Sequence, residues 1–445
     1  MRTALFRPAP FIDPLPEPEA SRVYPSWRMR QLAAIFAGYA GYYLVRSNFA
    51  FAKPLLMSSL HLGKSEVGLI ASALAATYGV SKFVMGNLAD RSNARTFLAA
   101  GLIGSGLVNL AFGSLVPLWA LIAAWGVNGW FQGMGWGPCA RTMTHWFSDR
   151  ERGTYMGIWN TAHNLGGALA GPLATMSLAL FSTAASIFFV PGAIAVILGV
   201  MLLAVLVDTP QSVGLPPIEA YRNDYPPCEV EDREREMSAR EILLDHVLNQ
   251  RTLWILALAN LGVYVVRFGV INWAPTYLPE VKHYVASSSR WQSLIFELGG
   301  IPGMLASGWV SDRFFAGRRA PVSVVLMAVV TAGVLVYWKT PAGHPIIDAL
   351  SLFCVGFAIY GPVMLIGVAA VDCVPKKAAA TAAGFTGLFG YIGTVGAEAG
   401  IGHIVDAYGW DAGFSVITAC GVVSALLLSL LWHAHDRRRF GDAAH

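Results

Sequence analysis

Apolar runs of about twenty residues recur along the chain, separated by short polar stretches rich in arginine, and this alternation predicts a series of membrane-crossing helices. Spans are expected at approximately 31–57, 66–88, 96–115, 118–142, 153–177 and 184–207, then at 251–277, 291–310, 321–338, 347–371, 380–403 and 413–433. Between the two sets lies a stretch of different character, with Pro210, Pro216, Pro217, Pro226 and Pro227 followed by the charge-dense 229–236. A capping box, Ser238-x-x-Glu241, before Ile242, Leu243 and Leu244 predicts a short amphipathic helix at its end. The short strands of alternating polarity that mark a membrane barrel are absent from the sequence.

The expected fold class is therefore an all-α membrane protein with twelve transmembrane helices in two pseudo-symmetric six-helix halves. Its parts are a cytoplasmic tail (1–30), an N-terminal half (31–207), a cytoplasmic linker (208–250), a C-terminal half (251–433) and a second cytoplasmic tail (434–445). Composition agrees: 55% of the 445 residues are hydrophobic and 13% charged, against about 25% charged in a soluble chain. The net charge of +4 is small, but its distribution orients the protein. Arg22, Arg28 and Arg30 precede the first span, Arg91 and Arg95 follow the second, Arg313, Arg318 and Arg319 occupy a matching later loop, and Arg437–Arg439 lie near the end. The positive-inside rule then places these loops and both termini in the cytoplasm. Residues 1–25 are Pro-rich with no continuous apolar core, so the first span is expected to act as its own insertion signal. The five cysteines are scattered and read as free thiols packing as small hydrophobes.

The two halves are internal repeats. Gly41-x-Tyr43-x-Val45-Arg46, with Pro54 eight residues beyond the arginine, is matched at an offset of 221 by Gly262-x-Tyr264-x-Val266-Arg267 with Pro275 eight beyond. Gly86-x-x-x-Asp90-Arg91 is matched at an offset of 222 by Gly308-x-x-x-Asp312-Arg313. Two motifs at essentially one offset indicate a duplication, as in many secondary transporters. The Asp-Arg turns are expected to be conformational latches, their carboxylates pairing with basic groups at neighbouring helix ends.

Arg46 and Arg267 are the charges that most need a reason. Each lies about 15 residues into an apolar span, and an arginine there costs roughly 2.5–3.5 kcal/mol on insertion scales. If the repeats are related by an axis along the membrane normal, both guanidiniums address one central site, and a divalent anion relieves both. Arginine suits phosphate because its fork offers parallel N–H donors and it never deprotonates. The alternative is that each arginine is neutralised by a local carboxylate and only fixes helix packing; Glu297 and Glu398 are available in the eighth and eleventh spans. His163, among Asn160, Thr161 and Asn164, either donates to phosphate or is a satisfied buried hydrogen-bonder. Lys82 either snorkels toward the cytoplasm or forms an electrostatic step along the pathway. Tyr39, Tyr43, Tyr78, Trp136, Tyr264, Tyr360 and Tyr391 line the cavity or pack. Gly133, Gly135, Gly137 and the Gly167-x-x-x-Gly171 pair suit close helix approach. No phosphate-cradling loop, His-Glu-x-x-His or Cys-x-x-Cys occurs, so neither ATP-driven transport nor an intramembrane metalloenzyme is supported. No cofactor, metal or nucleic-acid partner is expected, and the chain is read as a monomer.

Long motifs add a resemblance. The segments 41–46, 81–86, 129–136 (GWFQGMGW), 159–164 (WNTAHN) and 384–391 (GFTGLFGY) resemble the organophosphate:phosphate antiporters of the major facilitator superfamily. The segments 208–212 (DTPQS), 214–219 (GLPPIE), 223–226 (NDYP), 277–283 (YLPEVKH) and 360–367 (YGPVMLIG) are similar to the branch that carries glycerol 3-phosphate. The resemblance implies a twelve-helix antiporter of the bacterial inner membrane that imports glycerol 3-phosphate against inorganic phosphate. It implies that Arg46, Arg267, His163 and Lys82 coordinate phosphate and that Tyr39, Tyr43, Tyr264 and Tyr360 face the cavity. Three positions depart from the pattern: Ser47 replaces a second basic residue, Asn272 replaces an aspartate, and Glu398 stands where small uncharged residues are expected. Two other readings stay open: a hexose-phosphate or phosphoglycerate carrier with the same arginines, and a non-transporting organophosphate receptor of the same fold.

Overall fold

The computed structural model describes residues 7, 9–90, 92–223, 244, 247–315, 318–374 and 379–432, and every regular element among them is helical. The chain divides into two compact units, one of Met1–Phe49 with Ala76–Arg235 and one of Ala50–Ala75 with Glu236–His445. Two long helices, α1 (Glu17–Leu60) and α2 (Lys64–Asp90), contribute to both. The first unit continues with α3 (Ala94–Phe112), α4 (Leu118–Gln132), α5 (Trp136–Trp146), α6 (Asp149–Phe181), α7 (Ser186–Val205) and the short α8 (Ile218–Arg222). The second holds α9 (Arg251–Ile271), α10 (Ala274–Lys282), α11 (Ala286–Phe314), α12 (Arg319–Lys339), α13 (Pro345–Asp372), α14 (Ala379–Val395), α15 (Ile401–Tyr408) and α16 (Trp410–Ser429), with a π-helical turn at Gly396–Gly400 joining α14 to α15. Taking α4 with α5, α9 with α10, and α14 with α15 as single crossings gives the twelve spans of the major facilitator fold.

Eight of the described helical segments are both long and apolar enough to cross a membrane by themselves. The other crossings fall short for identifiable reasons. Two are interrupted, by Gly133–Gly135 and by the π turn, while α1 and α2 carry Arg46, Lys53 and Lys82 within their length. Large apolar side chains such as Trp119, Leu180, Ile346 and Leu430 point outward and exposed, an arrangement that lipid rewards and water penalises.

Close backbone approach holds the helices together, since apolar tails offer little driving force between them. In the second unit, a methyl added to Gly303 of α11 would sit 1.8 Å from the Phe357 carbonyl oxygen of α13, and one on Gly356 would sit 2.0 Å from that of Phe296. In the first, Gly166 of α6 abuts the Ala40 carbonyl, where a methyl would come to 2.3 Å. Gly133 lies against Ser81 of α2, where a methyl would come to 2.2 Å from the hydroxyl oxygen and 2.9 Å from the carbonyl carbon. At one end of the second unit, the buried Lys282 ammonium donates to the carbonyls of Tyr337 (3.0 Å) and Thr340 and pairs with Asp348 at 3.1 Å. This ties α10 to the α12–α13 connection.

Two segments expected to be a Pro-rich tail and a linker carry ordered structure. The helix α1 starts at Glu17, because Pro18 suits a first turn and Glu17 and Glu19 complement the positive end of the helix dipole. Residues 208–222 fold onto the first unit. Asp208 accepts hydrogen bonds from the Ala94 N–H at the start of α3 (2.9 Å), the Ala9 N–H (3.0 Å) and Arg141 (3.3 Å). Tyr221 stacks on Tyr24 of α1 at 3.9 Å between ring centres, and Glu151 bridges Arg28 and Arg222. A proline- and charge-rich stretch thus reads as a linker while its polar groups are consumed as caps and bridges. The Ser238-x-x-Glu241 box and Cys228 lie outside the described residues.

The helix contacts give a stability prediction. Gly303→Ala must push α11 from α13, an overpacking that costs about 1–3 kcal/mol, and is expected to lower the melting temperature in detergent. Gly157→Ala, where the methyl meets open space, is expected to leave it unchanged or slightly raised. Equal melting curves for the two variants would contradict this packing.

Candidate functional site

Arg46 is positioned from the backbone outward. Asn128 and Gln132, one turn apart on α4, donate to the carbonyls of Val45 (3.0 Å) and Tyr42 (3.1 Å) on α1. From α3, Asn109 also donates to Val45 O, at 2.9 Å. Ser105 joins the set by bonding to both Asn128 and Gln132, and Asn48 reaches Asn109 (2.8 Å) and the Ile187 carbonyl (3.0 Å). These side chains are buried, where a hydrogen bond is worth more than in water and a missing one costs more. The amides therefore fix the rotation of α1 about its axis, and with it the direction of Arg46.

Around the half-buried Arg46 is a run of aromatic rings within the first unit. Its guanidinium carbon lies 4.9 Å from the ring centre of Tyr43 and 5.0 Å from that of Tyr78. Tyr43 neighbours the His163 ring at 5.4 Å and Tyr39 at 5.6 Å, and Tyr39 neighbours Trp159 at 4.7 Å. Aromatic faces stabilise a cation without neutralising it. Lys82 follows Tyr78 by one turn of α2, with its ammonium 5.8 Å from the Trp136 ring centre. Arg46, Tyr43, Tyr39, Tyr78 and His163 are thus brought together, and Lys82 stands beside Trp136.

Arg267, buried in the second unit, has a different environment. Its guanidinium lies 4.4 Å from the ring centre of Tyr360 and 4.9 Å from that of Phe268, and donates to the Tyr360 hydroxyl at 2.8 Å. That hydroxyl in turn donates to Glu297 at 2.5 Å. The carboxylate foreseen as a possible neutraliser is therefore coupled to Arg267 through a tyrosine. Tyr264 is near Phe268 (5.7 Å) and Tyr391 (6.0 Å).

Glu398 is not aimed at an anion. It forms an ion pair with Lys53 at 2.6 Å and accepts a hydrogen bond from Asn272, so two of the three departures from the family pattern are bonded to each other. Lys53 escaped the sequence reading. The available signal was its place on α1 seven residues beyond Arg46, on the same helical face. The amides Asn128 and Gln132 also escaped it, because uncharged polar residues in an apolar span draw less notice than an arginine.

The latch motifs are only partly visible: Asp90 closes α2 and Arg313 is exposed in the last turn of α11, while Arg91 and the side chains of Asp90 and Asp312 lie outside the described residues. Among the described residues, no cluster of His, Cys, Asp and Glu is arranged to hold a metal ion, and no disulfide joins Cys139, Cys354, Cys373 and Cys420.

Comparison with known proteins agrees with this architecture. The family model described as Major Facilitator Superfamily matches residues 35–397. A glycerol-3-phosphate transporter of Bacillus subtilis (strain 168) is 49% identical, covering 97% of this chain and 98% of its own length. The membrane sensor protein UhpC of Salmonella typhimurium is 38% identical and covers 98% of each. A solved structure of a bacterial homolog of the human lysosomal transporter Spinster has a TM-score of 0.71 at 16% identity, covering 91% of this chain and 95% of its own, and supports the fold alone. With the family model spanning most of the chain and relatives similar from end to end, this chain belongs to the Major Facilitator Superfamily, a family of membrane transporters and not of enzymes.

Proposed function

We propose that this chain is a secondary antiporter of the bacterial inner membrane that imports glycerol 3-phosphate in exchange for inorganic phosphate, with both termini cytoplasmic. The observation that carries the proposal is the pair Arg46 and Arg267, equivalent in the two repeats and each laid over a tyrosine ring. The similarity to a glycerol-3-phosphate transporter supports the choice of substrate.

In this reading a phosphate group engages both guanidiniums during the cycle, with His163 and Lys82 adding donors and Tyr39, Tyr43, Tyr264 and Tyr360 shaping the site. Two cations without an anion repel, so the empty carrier reorients poorly and exchange is favoured over one-way flow. Tyr360 gives Arg267 two loads. With no substrate, the Tyr360 hydroxyl links it to Glu297; an arriving phosphate competes for the same N–H groups, and a bond between two ionised groups is stronger than one to an uncharged hydroxyl. Because the second phosphate pKa is about 6, either anion is present near neutrality, and His163 is suited to take up the charge difference. The Asp90–Arg91 and Asp312–Arg313 turns act as latches at the cytoplasmic ends.

The similarity to a membrane sensor protein favours a second reading, a receptor that binds organophosphate without moving it. Counterflow separates the two. Vesicles loaded with phosphate and containing the purified protein are expected to accumulate labelled glycerol 3-phosphate. Binding without accumulation establishes the receptor, and uptake competed only by hexose phosphate or phosphoglycerate establishes a different carrier.

Two substitutions test the site. Arg46→Lys and Arg267→Lys each lose the forked donor pair, and with about 1.5–3 kcal/mol per hydrogen bond to a charged group, exchange is expected to fall at least about 100-fold while the gel-filtration profile is unchanged. Near-normal exchange in either variant rules out the two-arginine site. Tyr360→Phe removes one hydrogen bond on each side of the hydroxyl, and at about 1 kcal/mol for each the half-saturating phosphate concentration should change about five- to thirtyfold. An unchanged value means that Tyr360 does not govern Arg267.

A further inference from the structure

Residues 50–75 belong by sequence to the first repeat but lie in the second compact unit, where they make specific polar contacts. At the centre is the Lys53–Glu398 pair, with the lysine side chain fully buried and the carboxylate 4% exposed. Lys53 also lies 3.8 Å from the ring centre of Trp273, and the Trp273 N–H donates to the Ala397 carbonyl at 2.9 Å. The π turn that carries Glu398 presents the carbonyls these contacts use. Ser72 of α2 bonds to the Val395 carbonyl at 3.2 Å, and a methyl on Gly68 would come within 2.3 Å of the Glu398 carbonyl. Single π turns inside α-helices are frequent at functional positions. A second set lies at the start of α2. There the Asp406 carboxylate accepts from the N–H groups of Lys64 (3.1 Å) and Ser65, and the Lys64 side chain pairs with Glu280 at 3.2 Å.

A buried ion pair is a poor way to gain stability. Desolvation of the two charges offsets most of their attraction, and apolar residues of similar volume would hold the same surfaces at least as firmly. What an ion pair adds is a sharp choice between two conditions, joined and buried or separated and hydrated, because leaving one partner buried alone is strongly unfavourable. Lys53 and Glu398 come from opposite repeats, and alternating access requires the repeats to part on one side at each turn of the cycle. Lys53 is two turns along α1 from Arg46, about 10 Å by helix rise, and Asn272 and Trp273 directly follow the helix that carries Arg267. The segments that carry the candidate phosphate groups therefore also carry the pair.

We propose that Lys53 and Glu398, seated by Asn272 and Trp273 and backed by Asp406 on the first turn of α2, form a releasable lock that keeps one gate shut and must open in every transport cycle. The lock lies at the end of α1 away from the N-terminus, which is the external face under the proposed topology. It neither binds nor selects substrate. The proposal rests on the alternating-access reading above.

Its test uses a cysteine at position 72, reported by the rate of labelling with a water-soluble maleimide in purified protein, alongside phosphate exchange in vesicles. Ser72 is buried against the π turn when the lock is closed. Glu398→Gln strands the lysine, so labelling should quicken at least about fivefold. The apolar pair Lys53→Met with Glu398→Met should keep or raise the melting temperature, slow labelling below that of the unmodified pair, and reduce exchange at least about tenfold, because the gate no longer releases. A purely structural ion pair predicts the opposite, with the apolar pair exchanging at the unmodified rate, and that result overturns the proposal. It is also overturned if labelling is the same in all three proteins. Failure of the antiport reading appears separately, as lack of exchange in the unmodified protein, and the labelling comparison still decides the lock.

Discussion

The cost of holding a permanent cation in an apolar span constrains this structure more than any other single factor. The described spans meet it in three ways. Arg46 is laid between aromatic faces, which lower its energy and leave its charge intact. Arg267 is coupled to Glu297 through the Tyr360 hydroxyl, which supplies a counter-charge at one remove. Lys53 is paired directly with Glu398. The three cations thus sit in three different surroundings: aromatic faces, a tyrosine hydroxyl bonded to a carboxylate, and a direct ion pair.

Such a scheme works only if the helices carrying the charges cannot rotate. In water the hydrophobic stripe of a helix sets its rotation, but a span facing lipid on one side and protein on the other has apolar residues all round. Here the setting comes from neutral amides. Asn109 and Asn128 both donate to the Val45 carbonyl of α1 and Gln132 to that of Tyr42, adding no charge. Gly166, seated against the Ala40 carbonyl, brings α6 and its His163 to the same stretch of α1. The site is thus placed by residues that do not touch it.

The twelve spans and the duplication were legible because both are written locally: apolar runs have a length, and repeated motifs have an offset. Arg46 and Arg267 were legible for a related reason, since a charge inside an apolar run stands out. What was not legible depends on partners distant in sequence. The Lys53–Glu398 pair joins residues 345 apart, and no local pattern announces it. The start of α1 at Glu17 and the folding of 208–222 onto the first unit were masked by proline and charge, which read as irregular until their hydrogen-bond partners are known. In the sequence Ser47 and Asn272 read as the loss of one positive and one negative charge, and Glu398 as an unexplained third departure. The structure joins Asn272 and Glu398 and supplies a cation at Lys53, six residues beyond Ser47.

The repeats share a sequence motif but not the same continuation, and the difference bears on how they move. Beyond Arg46, α1 runs unbroken through Pro54 to Leu60. Beyond Arg267, α9 ends at Ile271 and a new helix begins at Ala274 with Pro275 in its first turn. A proline is tolerated in the first turn of a helix but costs an internal hydrogen bond elsewhere, so at this matched position the second repeat avoids the cost that the first accepts, although Pro279 lies farther along the same short helix. At the break Asn272 and Trp273 keep right-handed backbone angles, and their side chains reach the π turn, the one bonding Glu398 and the other the Ala397 carbonyl. A continuous helix transmits a displacement along its axis, whereas a broken one bends at the break. In this asymmetry the α9–α10 junction of the second unit is a seat for Lys53, with the Trp273 ring on its ammonium and Asn272 on its carboxylate partner.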